Sequence, residues 1–494
     1  MAWPRAQSTR RDPAAHIERR ATKEQTVRTA QRHRVVIAGG GVAAVEALLA
    51  LRELAGHRLE LTLLSPERVF LYRPVTVAEA FDRGEARSYE LAEIAEHSGA
   101  RPVWDSLERV EPEEHVALTG SGGRIPYDVL VLAAGAIARE PLPGALTFRG
   151  RPDVAALRAL LEELAAGAAR SVALTLPAER MWALPLYELA LMTASHLRER
   201  GAGAEVWLLT PEEEPLELFG PAAARAIAPL LKARGIRLRT SSRPSRVRGR
   251  ALVLAGGGEV YVDRVITLPQ LEGPRLPGLP HDGRGFIPVD SHGRVRGVDD
   301  VYAAGDITAF PLKQGGLAAQ QADAVAEAIA AELGVPVTPR PFSPVLRGLL
   351  LTGGAPLYLR AEPQRLPHPA TVAIEATPHR RSAREASSAA GQPLWWPPAK
   401  IAGRYLGPFL ATARPRSLSS EMLCDRAAAP GRPPSEGELE DALELALLLA
   451  DCDARWGDYG AALSALDAAE ALQGTLPAEY EAKRRRWRTA ARAA

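Results

Sequence analysis

The apolar positions of this chain fall into short runs of strand length, separated by longer Ala- and Leu-rich stretches of helical length. Residues 34–38 (Arg-Val-Val-Ile-Ala) form one such run, closed by Gly39-Gly40-Gly41 and followed by a helical stretch to about Leu54. Strand, tight turn and helix are predicted there. Leu59–Leu64 reads as a second strand, residues 89–97 as a helix, and 101–104 and 109–118 as strand-like pieces. Residues 125–136 hold a turn, a fully apolar strand and the small residues Ala133-Ala134-Gly135-Ala136. The rhythm returns as strands at 171–176 and 205–209 with helices at 184–200 and 221–234. It returns once more as a short strand ending Ala303-Ala304-Gly305-Asp306, before an Ala-rich helix that runs to about Leu333. Alternation of this kind predicts parallel sheets flanked by helices.

The first turn has the spacing G-x-G-x-x-A, with Gly39, Gly41 and Ala44 in the three key positions. Gly39 permits the turn, Gly41 lets a pyrophosphate approach the backbone, and a small residue at 44 lets helix and strand pack closely. The helix N-terminus adds free N–H groups and partial positive charge. At the end of the second strand, where such folds usually place a carboxylate for a ribose, stands Ser65, followed by Pro66-Glu67. A hydroxyl there weakens a bare NAD reading.

Composition narrows the classes. At 494 residues the chain is long enough for two to four domains. A net charge of +2 gives no general argument for nucleic acid. The basic residues are nearly all arginine, the lysines being Lys23, Lys232, Lys313, Lys400 and Lys483. Two cysteines, Cys424 and Cys452, exclude a disulfide framework, a Cys-ligated zinc site and a C-x-x-C redox pair. No metal site is expected, and no apolar run reaches the roughly 18 residues that span a bilayer. Arg10-Arg11 is followed by no apolar segment, so a disordered basic extension or a misassigned start is expected rather than a targeting peptide.

Three motifs together, at residues 39–44, 127–136 and 298–306, resemble the FAD-dependent pyridine nucleotide–disulfide oxidoreductase superfamily over roughly residues 34–410. The resemblance implies an α/β fold with two Rossmann-type, three-layer ββα dinucleotide-binding domains, the second inserted in the first. A small α+β cap and a C-terminal α-helical hairpin would complete it. It implies FAD as the cofactor, with Gly39, Gly40, Gly41, Val42 and Ala43 at the pyrophosphate and Ser65 and Arg73 near the adenosine side and loop. Ala134, Gly135 and Gly305 would line the cleft, and Asp306 would bind the ribitol. Lys313, Gly316 and Leu317 open the last long helix, whose positive end would face the flavin edge where negative charge develops on reduction. Lys313 is the candidate for flavin electrostatics, and no acid–base pair stands out beyond the second-rank Tyr187 and Glu188.

In that superfamily the inserted domain holds NAD(P)H, yet here the turn after its first strand, Pro177 to Pro185, contains no glycine. Side chains there obstruct a pyrophosphate, and Glu179 opposes its charge. Ser65, Tyr72-Arg73-Pro74, Pro185-Leu186-Tyr187-Glu188, Phe219-Gly220-Pro221 and the Lys313-x-Gly-Gly segment look like the sulfide:quinone oxidoreductase branch. Enzymes of that branch use a cysteine pair, and no cysteine lies between residues 1 and 423, which disfavours sulfide oxidation by a persulfide route.

Residues 345–359 read as two strands across a Gly-Gly turn, and Trp395, Trp396, Tyr405 and Phe409 suit either a quinone slot or a small cap core. Ser435 and Glu438 have capping-box spacing, and residues 457–469 resemble part of a tetratricopeptide repeat, with Ala450, Ala462 and Ala469 at close helix contacts. The basic run at 483–488 suits anionic lipid or a solvated helix face. The implied boundaries are an extension at 1–33, FAD-binding segments at 34–145 and 269–340, the degenerate NAD(P)-type domain at 146–268, a cap at 341–410, a linker at 411–434 and a helical tail at 435–494. Three functions follow: electron transfer from an unidentified donor through flavin to an acceptor such as quinone, NAD(P)H dehydrogenation, or a non-enzymatic flavoprotein acting through its tail. The expected partners are small-molecule redox donors and acceptors. A homodimer contact, a protein partner at residues 435–494 and a peripheral membrane contact stay open, and the expected place is the cytoplasm or the inner face of a membrane.

Overall fold

A computed structural model describes residues 32–178, 181–354, 357–361, 403–412 and 475–491, together with 447, 463, 466, 467, 469 and 470. Strand β1 (His33–Ala38) leads through the glycine turn into α1 (Val42–Ala55) and β2 (Leu59–Leu64). Next come β3 (Arg101–Val103) and β4 (Val129–Leu132). All pair in parallel, β1 lying between β2 and β4. The side-chain alternation of β1 explains its apolar run. Val35 and Ile37 join the core under the helices, while Val36 and Ala38 join a second core beneath an antiparallel meander of Leu107–Glu111, Val116–Thr119 and Arg124–Pro126. A strand buried on both faces has no polar positions to alternate.

Two local readings are corrected. Residues 89–97 are not one helix: Ser88–Glu90 pairs with Val69–Leu71, setting Tyr89 opposite Phe70, and the helix starts at Leu91. Residues 109–118 are not one strand, because Pro112 and the left-handed His115 (φ 52°) turn the chain between two.

The second unit repeats the plan. Its sheet contains β5 (Leu146–Thr147), β6 (Ser171–Thr175), β7 (Glu205–Leu209), β8 (Arg237–Arg239) and β9 (Arg264–Thr267), in the order β5-β9-β6-β7-β8. Helices α2 (Leu184–Glu199) and α3 (Pro221–Ala233) belong to it, and a meander of Pro244–Arg248, Ala251–Leu254 and Glu259–Tyr261 is the third layer. The chain then returns as β10 (Val301–Ala303) beside β4, giving the first sheet the order β10-β4-β1-β2-β3. Helix α4 (Gly315–Glu332) packs along α1 through alanines, Ala43, Ala44, Ala47 and Ala50 meeting Ala318, Ala319, Ala322 and Ala326 in one core.

The cap begins with β11 (Leu346–Leu350) paired antiparallel to β12 (Leu357–Ala361), as the Gly-Gly turn predicts. It resumes at α5 (Leu406–Thr412), beside α1. A last helix, α6 (Ala478–Ala491), packs with Leu466, Ala469 and Leu476. Glu179, Trp395, Trp396, the capping box at 435–438, Ala450, Ala462 and both cysteines lie outside the described residues. Among the described residues, no helix is long and apolar enough to cross a membrane.

Candidate functional site

The C-terminal ends of β1, β4 and β10 converge. Ala133 N donates to Ala38 O (2.8 Å), Ala304 N to Leu132 O (2.9 Å) and Gly39 N to Leu64 O (2.8 Å). Gly39 has φ 143°, and a Cβ there would lie 2.2 Å from Ala133 O, so both backbone shape and space demand glycine. A Cβ on Gly40 would meet Ser65 Oγ at 2.6 Å. Gly41 is different: it caps α1 with no side-chain hydrogen bond, and nothing lies within 4 Å of where its Cβ would be. The turn therefore packs on one side and opens on the other, toward the first N–H groups of α1 at Val42 and Ala43. Gly135 (φ 74°) and the exposed Ala134 border the same strand ends, again with no atom within 4 Å of a Cβ on Gly135.

Gly305 (φ 81°) sits between α1 and α4, where a Cβ would approach Ala43 Cβ to 2.9 Å and Ala318 Cβ to 3.4 Å. Its N–H donates to Gln321 Oε1 (2.7 Å), which holds the turn that presents Asp306. The Asp306 carboxylate has the charges of Lys313 and Arg73 as neighbours and no hydrogen bond from the described residues. Burial pushes its pKa up, and the charges of Lys313 and Arg73 pull it back. An unpartnered carboxylate held by protein suits a polyol hydroxyl donor. Arg73 itself is exposed and opens a short 3-10 turn, Arg73–Val75.

Lys313 lies over the Phe286 ring at 3.8 Å and donates to Thr308 O. Burial lowers its pKa to about 8; Asp306 opposes that shift and Arg284 adds to it. At α4, Gln314 Oε1 accepts the N–H of Leu317 at 2.7 Å, and its side chain lies 3.0 Å from where a Cβ on Gly316 would be. The Leu317 amide is thus engaged within the protein.

Ser65 is fully buried, and its hydroxyl donates to Glu67 Oε2 at 3.2 Å. A carboxylate does reach the end of β2, two residues later than the usual spacing. Glu67 lies two residues past the position where the strand pattern places that carboxylate, and its nearness to Ser65 in the sequence is the one local signal of it. Phe286 and Arg284, beside Lys313, carried no signal at all.

At the start of α2 in the inserted unit, side chains take the place of a glycine turn. Tyr187, fully buried, donates its hydroxyl to Glu212 Oε2 (2.6 Å) and accepts the N–H of Leu216 (3.2 Å). Thr210 Oγ1 also donates to Glu212 Oε2 (2.8 Å), and the N–H of Glu217 donates to its Oε1 (3.2 Å). Burial raises the pKa of Glu212, and the Tyr187 and Thr210 hydroxyls counter it. Leu184 and Phe219 lie against the cap strand, where a Cβ on Gly348 would be 2.9 Å from Phe219 Cζ and 3.2 Å from Leu184 Cδ2. Glu188 Oε1 accepts the N–H of Leu351 (2.9 Å) and so faces the cap. Tyr405 and Phe409 pack against the first unit's core, Phe409 edge-on to His97 at 5.1 Å. Arg484, in the basic run, is buried and paired with Asp467 and Glu470. Among the described residues no cluster of His, Cys, Asp and Glu could hold a metal ion.

The sequence profile described as pyridine nucleotide-disulphide oxidoreductase matches residues 33–172 and 188–330. The chain is 27% identical to a sulfide-quinone reductase of Aquifex aeolicus over 187 residues, covering 37% of this chain and 43% of that protein. It is 27% identical to an NADH dehydrogenase-like protein of Mycobacterium tuberculosis over 299 residues, covering 56% of this chain and 73% of that protein. Among solved structures, the sulfide:quinone oxidoreductase of Aquifex aeolicus superposes with a TM-score of 0.60 at 21% identity, covering 67% of this chain and 84% of that one. A putidaredoxin reductase–putidaredoxin complex gives a TM-score of 0.51 at 18% identity, over 67% and 82% of the two chains.

Proposed function

We propose that this chain, which belongs to the pyridine nucleotide-disulphide oxidoreductase family, takes electrons from a donor other than free nicotinamide and delivers them through FAD to a quinone. The oxidoreductase class and the FAD cofactor come with the family. The residues fit that cofactor. The open face of Gly41 leaves room for a pyrophosphate, and the unpartnered Asp306 suits the ribitol. The exposed Glu67, which accepts the buried Ser65 hydroxyl, would meet the adenosine ribose in place of Ser65 itself, and Ala134 and Gly135 leave the strand ends clear. Bound FAD supplies the electron chemistry. Lys313 would place positive charge beside it, reinforced by the N-terminal end of α4, where Gly316 contributes.

The observation that carries the donor reading is the crowded start of α2, after a turn whose sequence holds no glycine. Leu184, at that helix start, and Phe219 pack against the cap strand, and Tyr187 holds Glu212, the carboxylate nearest the end of β7. The matched part of the Aquifex sulfide-quinone reductase supports quinone as the acceptor. The absence of cysteine in residues 1–423 argues against sulfide as the donor. A second reading, NAD(P)H dehydrogenation, is favoured by the longer match to the NADH dehydrogenase-like relative.

The acceptor is tested by reducing the purified holoprotein with light and a sacrificial donor under anaerobic conditions, then mixing it with a short-chain ubiquinone or menaquinone. Rapid return of the oxidised flavin spectrum is expected. A spectrum that stays bleached with both quinones contradicts the acceptor assignment.

A further inference from the structure

Two buried carboxylates occupy the same place in the two units. Glu46 is the fifth residue of α1 and Glu188 the fifth of α2, and their exposures are 0% and 1%. Each is turned to the cap. Glu46 accepts the N–H of Tyr405 (2.8 Å) and of Leu406 (2.7 Å), at the start of α5. Glu188 accepts the N–H of Leu351, just past β11. A buried carboxylate is costly without donors, and an exposed helix start has N–H groups without acceptors, so each contact satisfies both partners.

The cap is tied to α4 as well. Arg404 Nη1 donates to Glu327 Oε1 (2.9 Å), and Arg340 joins the same carboxylate. Gln320 makes a two-way pair with Val345, donating to its O (3.0 Å) and accepting its N–H (2.9 Å). Gln314, the residue that caps α4, donates to Arg347 O (3.2 Å). Residues 403–406 therefore bond α1 through Glu46 and α4 through Glu327, and the first turns of these two helices flank Gly305, beside the turn that presents Asp306. At the far end of α2, Arg83 donates to Gly353 O (2.5 Å), holding the hairpin turn against Ser195.

We propose that Glu46 and Glu188 are paired positioning residues, which fasten the cap to both units at equivalent helix positions and so keep α1 and α4 closed on bound FAD. The inference rests on FAD occupying the cleft and is independent of donor and acceptor. Its readouts are amide exchange and cofactor loss.

The test uses the full-length holoprotein carrying Glu46→Gln, Glu188→Gln, both together, or Glu46→Leu. Hydrogen exchange is followed in peptides containing residues 351 and 405–406, and FAD release by the gain of free-flavin fluorescence. Each substitution is expected to speed exchange in its own peptide. The double variant should release FAD about tenfold faster or more, a scale set by hydrogen bonds to charged groups. An Arg158→Ala control, which breaks an exposed pair with Asp82, should change neither. If Glu46→Leu does not fold, the glutamine variants, which keep shape and lose charge, decide the matter. Faster exchange with unchanged FAD release makes the carboxylates merely structural and overturns the proposal, as does unchanged exchange. A native preparation without flavin absorbance would instead refute FAD occupancy itself.

Discussion

The Tyr187 hydroxyl donates to Glu212 Oε2 at 2.6 Å, across the mouth of the inserted unit's sheet. The bond consumes the carboxylate nearest to where a dinucleotide-binding unit would offer an acceptor to a ribose. Tyr187→Phe leaves Glu212 buried with one donor fewer. Urea unfolding should show a loss of about 1–3 kcal/mol. The vacated hydroxyl opens no nucleotide site on the proposed reading, because Leu184 and Phe219 still pack against the cap strand at the start of α2, so NADH titrated into the variant should leave its melting temperature unmoved.

Gly39 and Gly41 lie two residues apart and should respond differently to alanine. At Gly39 the left-handed φ and the carbonyl of Ala133 leave no room, so Gly39→Ala should destabilise the fold by roughly 3 kcal/mol or more. Gly41→Ala meets only open space and should change stability by less than about 1 kcal/mol, while the purified protein holds less FAD per chain. Unfolding curves and the flavin-to-protein absorbance ratio separate the two. Equal losses of stability would contradict the assignment of the open face.

Lys313 supplies a charge that the flavin should sense. Lys313→Met should lower the midpoint potential by tens of millivolts; ~30 mV corresponds to ~1.4 kcal/mol for a two-electron couple. Burial holds its pKa down to about 8 in the protein alone. The charge is present below that pH and lost above it, so the gap between native and variant potentials should narrow as pH rises past 8. Spectroelectrochemical titration at several pH values checks both the sign and the trend.

Asp323 faces Glu46 between α4 and α1. Burial first, and then the charge of Glu46, push its pKa up to about 9. Its Oδ1 is buried without a partner among the described residues, and a retained proton gives the two carboxyls a donor to share. The unfolded chain loses that proton near pH ~4. From there to about 9 the native state binds the extra proton, so stability falls as pH rises, by up to ~1.4 kcal/mol per pH unit for this group. Asp323→Asn removes that dependence. The native-minus-variant difference in unfolding free energy should therefore decline from acid to alkaline pH, and a flat difference would refute the shared proton.

Much of the first unit was legible because its signals are local. Val36 and Ile37 read as part of a strand, and Gly39 as a residue demanded by the tight turn after it. Asp306, which follows Gly305 after a short strand, read as a polar residue at the end of that strand. What escaped depends on contacts far apart in sequence. Glu46 meets Leu406 across the whole of the intervening chain, and nothing around either residue announces the other. Phe286 becomes Lys313's neighbour only through the return of the chain to the first sheet. Glu67 had a nearer signal, two residues past Ser65, but it departs from the usual spacing. The inserted unit shows the opposite case. Its missing glycines were visible at once, whereas the cap strand packed on Leu184 and Phe219 was not.

The most direct test of the donor assignment is anaerobic stopped-flow mixing of the oxidised holoprotein with NADH and, separately, NADPH. The glycine-free turn and the crowded start of α2 predict that the flavin absorbance persists on the timescale of turnover. Rapid bleaching by either nucleotide would contradict it and identify the chain as an NAD(P)H dehydrogenase.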